Sequence, residues 1–324
     1  MPYKFNASRR HKFVKPRFRV TNWSEYNESL RRRGDVTVWI SDAVAHQWAA
    51  DRRTTRGGQA KYSSLAIETC LTVRVVFGLA LRQTQGFMRS LLRLMKLDLV
   101  VPDFSTLSRR AGKLDFEQLK QQAKSEPVHL VVDSTGLKVF GAGEWQENKH
   151  GTAVKRRSWC KLHLGMNLDT GEILCSDLTE ESAADPTVLP DLLDQIEGVV
   201  ASFIGDGAHD GDPVSNELQH RFEGVEVITP PPKNAVPSPK AESAPTQRDQ
   251  HIATIQNEGR MAWQKQTGYT QRSRIETQMG RYKQVIGNKL KARNIKTQRA
   301  EAKIGVNALN IMNALGRPTF EKVS

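Results

Sequence analysis

The sequence predicts an α/β protein in which a mixed sheet with flanking helices follows a mainly helical N-terminal region. Three observations favour this fold class. Apolar residues recur at helical spacing between residues 65 and 95, β-rich runs begin at Val128, and helical and strand patterns then alternate. At 324 residues the chain is long enough for two domains, and we place the boundary between residues 127 and 128.

The N-terminal region, residues 1–127, combines a basic arm with helical segments. The first 35 residues are polar, basic and dotted with aromatic side chains, which is typical of an arm that orders on its partner. Two helical patterns follow, and Pro102 ends the second before Ser105, which we expect to cap a third. That third segment carries Arg109 and Arg110. Three short helices with a basic third one favour a helix-turn-helix-like DNA-binding module, with an ordinary helical bundle as the alternative.

The second region, residues 128–324, begins with three strand patterns. The last two, WCKLHLGMNL and EILCSDLT, are joined by a hairpin signal at Asp169-Thr170-Gly171. A helix, the run VVASFIGD, a second helix and VEVIT follow, and the basic helix YTQRSRIETQMGRYK comes last. This order is that of the ribonuclease H-like fold, so we expect a catalytic domain with a mixed five-stranded sheet and flanking helices. Residues 230–268 predict a flexible Pro-rich segment.

Positive charge is concentrated in two parts of the chain. Residues 1–33 carry +8 and residues 259–299 carry +10, which leaves −5 for the rest of a chain with net charge +13. This distribution favours a polyanionic partner. The three cysteines form no CxxC pair and favour reduced thiols in a cytoplasm. We expect neither a membrane span nor a signal peptide.

Two aspartates are each expected to end an apolar strand, Asp133 in HLVVDSTG and Asp206 in FIGDGAHD. In the expected fold these strands are parallel neighbours, and the last helix brings Glu276 to the same edge. Clustered carboxylates need a cation, and Mg²⁺ prefers oxygen ligands. We therefore expect two Mg²⁺ ions per site and phosphoryl transfer on DNA. Taken singly, each acid also fits a turn, cap or ion-pair residue.

The basic helix carries Tyr269, Arg272, Glu276 and Lys283 in the spacing Y-x2-R-x3-E-x6-K. In one continuous α-helix these residues share a stripe roughly 60° wide. An ordinary ion pair between Arg272 and Glu276 is the alternative explanation. The spacing resembles the signature of the DDE transposases of bacterial insertion sequences. TNWSEYNESLRRRGDVTVWI, DSTGLKVFGAGEW, RRSWCKLHL and DGAHD are similar to the insertion sequence five family, nine-oh-three group, over nearly the whole chain.

The resemblance implies a DNA transposase whose metal-binding catalytic triad is Asp133, Asp206 and Glu276, with Mn²⁺ able to replace Mg²⁺. It implies that metal-activated water frees a 3′ hydroxyl at each element end, and that this hydroxyl attacks target DNA. Its implied partners are double-stranded DNA, at terminal inverted repeats and at the target, and a second subunit in a synaptic complex. The implied location is the bacterial cytoplasm, at the nucleoid.

Further residues take roles from the same resemblance. Arg272 and Lys283 are implied to contact DNA phosphates near the element end, with Tyr269 packing or contacting beside them. Where the family commonly has tyrosine in its DGAYD motif, this chain has His209. Histidine titrates near neutrality, although a neutral ring that fills the tyrosine's place is the simpler interpretation.

A basic cluster with an embedded tryptophan lies next to the second strand pattern. Arg156, Arg157, Trp159 and Lys161 predict contact with the DNA backbone or stacking on an unpaired base beside the site. A solvated charge run is the alternative. Two other functions remain open, a ribonuclease H-like DNA nuclease without strand transfer and a non-catalytic DNA-binding protein derived from a transposase.

Overall fold

A computed structural model describes residues 17–40, 42–54, 56–114, 127–139 and 159–323. The described residues form two compact units. One comprises residues 39–310, and the smaller one lies within residues 1–38 and 311–324. The larger unit contains both the central sheet and several helices that precede it. The predicted boundary between residues 127 and 128 separates a DNA-binding region from a catalytic domain, and this division stays a prediction.

The smaller unit joins the two ends of the described chain. Strand β1 (Arg17–Val20) pairs antiparallel with β8 (Phe320–Val323), and helix α1 (Trp23–Arg32) follows β1. The side chain of Asn22 donates to the carbonyl oxygen of Arg317 at 2.9 Å and accepts from a backbone N–H at 2.8 Å. Residues 17–32 of the predicted arm are therefore mostly in regular structure, while residues 1–16 lie outside the described residues.

Helices occupy the larger unit before the sheet. After a 3₁₀ turn at Val36–Trp39 come α2 (Asp42–His46), α3 (Ser64–Val76), α4 (Leu81–Leu94) and α5 (Phe104–Ala111). Helices α3, α4 and α5 pack against one another. The predicted cap of α5 is wrong. Asp103 caps it by accepting from the N–H of Ser105 at 2.8 Å, because Ser105 already lies inside the first turn.

No single helix of the described chain is long and apolar enough to cross a membrane. Among the described helices, the pair α3 and α4, bent by 108° at their junction, reaches that length and composition.

The central sheet has six strands within the described residues. These are β2 (Val128–Val139), β3 (Trp159–Asn167), β4 (Ile173–Glu180), β5 (Val200–Ile204), β6 (Glu226–Ile228) and β7 (Lys289–Leu290). The order is β4-β3-β2-β5-β6, and β7 pairs with β2 off this path. Strands β2 to β4 are antiparallel, whereas β5 and β6 run parallel to β2. The predicted mixed sheet is confirmed. The two-residue β7 is an addition that no apolar run in the sequence indicates.

Several helices pack against the central sheet. On one face, α6 (Asp185–Leu193) and α7 (Asp212–Arg221) bury their apolar side chains against Val132 and Phe203. Helix α10 (Ser273–Val285) packs against β2 and β3, and α11 (Ile295–Ala314) follows it. Since strand side chains alternate between faces, neighbours of Val132 in β2 point away from its core.

The expectation of a flexible Pro-rich segment over residues 230–268 is wrong. Helices α8 (Gln247–Glu258) and α9 (Arg260–Gln266) fill its second half. Asp249 anchors the Pro-rich part, because it accepts from the N–H of Ser238 at 2.7 Å while it completes the capping box of α8. Trp263 of α9 is fully buried. The pattern Thr-x-x-Asp before α8 was the helix-start signal that the proline content obscured.

Candidate functional site

Two of the predicted acids occupy equivalent positions on neighbouring parallel strands. Val131 of β2 pairs with Ile204 of β5, and Asp133 and Asp206 each follow that pair by two residues. The prediction that Asp133 ends its strand is wrong, because β2 continues beside β3 as far as Val139. Burial raises the pKa of the Asp133 carboxyl, the Arg272 guanidinium lowers it, and the charge of Asp206 makes a smaller contribution that raises it. Strand register thus places the two aspartates at equivalent points on adjacent parallel strands.

Arg272 links the third acid to the first. Its Nη1 donates to Oδ2 of Asp133 and its Nη2 donates to Oε1 of Glu276, both at 2.5 Å. The side chain of Asp133 is 14% exposed and that of Glu276 is 56% exposed. The simple ion pair between Arg272 and Glu276 therefore exists, but only as half of a bridge between strand β2 and helix α10.

The first two signature residues precede α10 instead of lying within it. Tyr269 and Arg272 form a 3₁₀ turn, entered from Gly268 at φ +69°. The predicted continuous stripe is therefore wrong at its N-terminal end, because 3₁₀ and α turns rotate successive side chains differently. The Tyr269 ring packs 5.2 Å from that of Trp263. Lys283 is half-buried in the last turn of α10.

The environment of the Tyr269 hydroxyl shows how the acids are grouped. Burial raises its pKa, Arg272 lowers it, and the charges of Asp206, Asp133 and Glu276 each raise it. All three carboxylates therefore affect the pKa of the same phenol. The structure brings the three predicted acids into a single region around Tyr269 and Arg272.

His209 holds Asp206 in place. Its Nδ1 lies 2.9 Å from Oδ1 of Asp206, and the N–H of Ala208 donates to the same oxygen at 3.0 Å. The hydrogen bond with His209 lowers the pKa of Asp206. The His209 ring is buried against Phe203, and among the described residues its Nε2 has no hydrogen-bond partner. His209 therefore fills an enclosed position and orients one carboxylate oxygen.

A polar cluster that the sequence reasoning missed lies on the opposite face of β2. Asp185, at the start of α6, accepts from Oγ of Ser134 at 2.8 Å and from Nζ of Lys161 at 3.0 Å. Nδ1 of His163 lies 3.8 Å from the same carboxylate. The available signal was Asp-Pro ahead of an apolar helical pattern, which is typical of a helix start.

This cluster changes the location expected for Lys161. Lys161 pairs with Gly136 across β2 and β3, so its side chain shares a face with Ser134 and not with Asp133. Trp159 lies on the same face as Lys161, with Nζ of Lys138 5.1 Å above its ring. Both side chains therefore lie on the face of the sheet opposite Asp133, and their contact with DNA stays a prediction. Arg156 and Arg157 lie outside the described residues.

The two predicted arginines of the helical region differ from each other. Arg109 is exposed, and its Nε lies 3.4 Å from the carbonyl oxygen of Ser105 in its own helix. Arg110 donates to the carbonyl oxygen of Tyr62 and lies 3.3 Å from Oγ of Ser64. Neither arginine lies with the three acids in the contacts described. Arg110 serves to hold α5 to the chain before α3.

The three acids suit a divalent metal ion by their chemistry, since carboxylate oxygens are preferred by Mg²⁺. A cationic group already lies between Asp133 and Glu276, which shows that a positive charge fits there. Burial of Asp133 further favours a cation beside it. As the described part of the chain stands, it contains no group of three His, Cys, Asp or Glu side chains that could hold a metal ion. Arg272 bridges two of the candidate ligands instead.

Three solved transposase complexes show a low similarity to this chain. The chain is similar to a piggyBac transposase synaptic complex with hairpin DNA, at 11% identity over 86% of this chain and 74% of that one, with a TM-score of 0.39. It is similar to the Drosophila P element transposase strand transfer complex at 13% identity, 64% and 48% coverage and a TM-score of 0.29. For the Mos1 strand transfer complex the values are 12%, 82%, 82% and 0.22.

Two family models, both described as a transposase DDE domain, match this chain. The first covers residues 31–142 and the second covers residues 124–311. The second match alone spans more than half of the 324 residues and includes all three acids. The chain therefore belongs to the transposase DDE domain family.

Proposed function

We propose that this protein is the transposase of a bacterial insertion sequence of the insertion sequence five family. It cuts DNA at the element ends and transfers the freed 3′ hydroxyl to target DNA. The observation that carries the proposal is the gathering of Asp133, Asp206 and Glu276 around Arg272 and Tyr269. Two parallel strands at the same offset and one helix supply these acids in a chain of the transposase DDE domain family.

In this proposal Asp133, Asp206 and Glu276 would hold two Mg²⁺ ions, which Mn²⁺ could replace. When bound, such ions activate an attacking oxygen and neutralise charge on the leaving oxygen. Asp133 is fixed by the middle of β2, and His209 orients Asp206. Glu276 lies in the first turn of α10, where the helix dipole stabilises a carboxylate. The protein thus presents its ligands from rigid elements.

Arg272, Lys283 and Tyr269 are proposed to hold the DNA strand beside the acids. A guanidinium can bind phosphate oxygens through two parallel hydrogen bonds, which suits Arg272 to this role. Lys283 lies seven residues beyond Glu276 on α10 and is half-buried. Tyr269 supplies an aromatic ring at the entrance of the helix.

The N-terminal region, residues 1–127, is proposed to bind the terminal repeats. Helix α4 contains no acid and exposes Arg82, Arg89 and Arg93 on one side. Arg109 of the neighbouring α5 is also exposed. Such a surface matches the phosphate backbone in charge and supplies the part of DNA affinity that is independent of sequence. We keep Arg156, Arg157 and Trp159 as DNA contacts, whereas Arg110 and Lys161 are engaged by protein groups.

Because both element ends are processed together, we propose that at least two subunits form a synaptic complex on DNA. The proposed location is the cytoplasm of a bacterium, at the nucleoid. Both statements rest on the proposed reaction.

A strand-transfer assay tests the proposal. A labelled duplex that contains the DNA flanking this gene is incubated with the protein, Mg²⁺ and a supercoiled plasmid. We expect the labelled 3′ end to become covalently joined to the plasmid, and a scrambled duplex of equal length to give no joined product. Cleavage without joining indicates the ribonuclease H-like nuclease, and binding without cleavage indicates the non-catalytic DNA-binding protein.

A further inference from the structure

The guanidinium of Arg272 faces two competing sets of acceptors. It binds Asp133 and Glu276, which are the acids assigned to metal, yet its place in the signature assigns it to DNA phosphate. We propose that Arg272 couples DNA binding to metal binding. While it bridges the two acids they take up metal weakly, and when a DNA phosphate draws it away they take up metal tightly. This inference rests on the proposed function.

The bridge uses both ends of the guanidinium. Nη1 donates to a carboxylate oxygen of Asp133 on β2, and Nη2 donates to a carboxylate oxygen of Glu276 on α10. One side chain therefore neutralises acids on two separate elements. Although burial lowers the pKa of Arg272, the charges of Asp133 and Glu276 raise it. The guanidinium is therefore held as a cation among groups of negative charge, and it satisfies them as a counterion.

A metal ion and this guanidinium oppose each other. Both are positive, and both require oxygens of Asp133 and Glu276, so an ion that enters while Arg272 stays meets strong repulsion at contact distance. Conversely, removal of Arg272 with no replacement leaves the mostly buried Asp133 uncompensated, which is costly. The metal ion and the guanidinium therefore replace each other at these oxygens and do not occupy them together.

The position of Arg272 allows such an exchange. It ends a four-residue 3₁₀ turn and is the N-cap residue of α10, with no capping hydrogen bond from its own side chain. Its side chain is 21% exposed and its partner Glu276 is 56% exposed, so one side of the bridge opens to solvent. A phosphate that approaches from that side offers the guanidinium two oxygens in place of those it gives up.

Thermodynamic reciprocity makes the coupling measurable. If DNA tightens metal binding by some factor, metal tightens DNA binding by the same factor. The biological consequence is that the acids bind metal tightly only when substrate is present, which limits unproductive hydrolysis. Arg272 is therefore a positioning residue. Its role is measured by the affinity for metal as well as by the rate of cleavage.

The test is calorimetric titration of Mn²⁺ into the full-length protein, with and without saturating duplex DNA, after subtraction of the titration into DNA alone. We work at about pH 8 so that the acids stay ionised in every variant. For the wild type, DNA is expected to lower the Kd of Mn²⁺ about tenfold or more. Arg272→Gln is expected to bind Mn²⁺ tightly without DNA, close to the DNA-bound wild type, and to lose the coupling.

Two further variants sharpen the result. Arg274→Gln removes an exposed arginine two residues further along the chain, in α10, and is expected to keep the wild-type coupling. Asp133→Asn is expected to abolish the heat of Mn²⁺ binding. That loss would assign the measured heat to this site. DNA is saturated separately for each variant, since loss of a cation weakens DNA binding.

The outcomes separate the two proposals. If no Mn²⁺ binding sensitive to Asp133→Asn occurs even with DNA present, the proposed function fails. If such binding occurs with the same Kd with and without DNA, or if Arg272→Gln leaves the DNA-free Kd unchanged, the coupling is overturned and the proposed function stands.

Discussion

Asp133 and Asp206 show how neighbouring residues of one type acquire different properties. Both follow the strand pair Val131 and Ile204 by two residues, so their backbone positions are equivalent. Burial raises the pKa of Asp133, whereas a hydrogen bond with His209 lowers that of Asp206. Strand register places both carboxylates, but the side chains that surround each one set its protonation.

His251 makes the stability of the protein depend on pH. Its ring packs 5.5 Å from that of the buried Trp263, and burial lowers its pKa from an ordinary value of about 6.5. The native state therefore binds fewer protons than the unfolded state just below that value. Its contribution to stability is present above about 6.5 and is lost as pH falls toward the native pKa.

Thermal unfolding measured between about pH 8 and pH 5 tests this prediction. We expect the Tm of the wild type to fall more steeply below about pH 6.5 than that of His251→Phe, which keeps an aromatic ring against Trp263. His163, whose pKa burial also lowers, remains in both proteins and gives them a shared slope. Parallel Tm curves for the two proteins would show that His251 does not titrate as expected.

At the scale of elements, helices α10 and α11 meet through a glycine. A Cβ on Gly305 of α11 lies 2.8 Å from Oη of Tyr282 and 2.9 Å from Cγ2 of Ile286, so the close contact requires hydrogen at this position. Gly280 of α10 is exposed and has no atom within 4 Å of the equivalent point. The pair offers a matched test of the packing that positions Glu276.

Denaturant unfolding of two alanine variants makes that test. Gly305→Ala is expected to lower the free energy of unfolding by about 1–3 kcal/mol, because overpacking forces neighbours to shift. Gly280→Ala is expected to raise it by about 0.5–1 kcal/mol, because alanine has the higher helix propensity. A Gly305→Ala protein as stable as the wild type would show that α10 and α11 do not pack as described.

The elements differ in how far sequence alone predicts them. Strands β2 to β6 follow from apolar runs bounded by turn residues, and the parallel pairing of β2 with β5 follows from the order of elements. Helix α8 was obscured because proline-rich composition suggests a loop, although its capping box was legible. The face on which Lys161 lies depends on strand register, and a shift of one residue reverses it.

For the whole molecule, the candidate site was predictable as a set of acids and not as an arrangement. Asp133, Asp206 and Glu276 could be found because each has an unusual local sequence, and a known fold brings such positions together. The hydrogen bond from Arg272 to Asp133, and that from Ser134 to Asp185 on the opposite face, each join residues over fifty positions apart. Such pairings are set by tertiary packing, for which local patterns carry no signal.

The two ends of the described chain give a similar lesson. Strands β1 and β8 pair although about 300 residues separate them, and beside this pair the backbone N–H of Thr319 donates to the side chain of Asn22. Basic charge in residues 1–33 predicts a polyanionic partner, but it gives no indication that part of this segment joins the C-terminus. Charge distribution therefore informs on partners and not on topology.

The central claim is that Asp133, Asp206 and Glu276 act together in metal-dependent cutting of DNA. The most direct measurement is the rate of cleavage of a duplex that contains the flanking DNA, with Mg²⁺, for Asp133→Asn, Asp206→Asn and Glu276→Gln. Each variant is expected to be slowed at least about 100-fold while DNA binding is retained, and the exposed control Glu242→Gln is expected to match the wild type. Cleavage at the wild-type rate by any of the three variants would contradict the account.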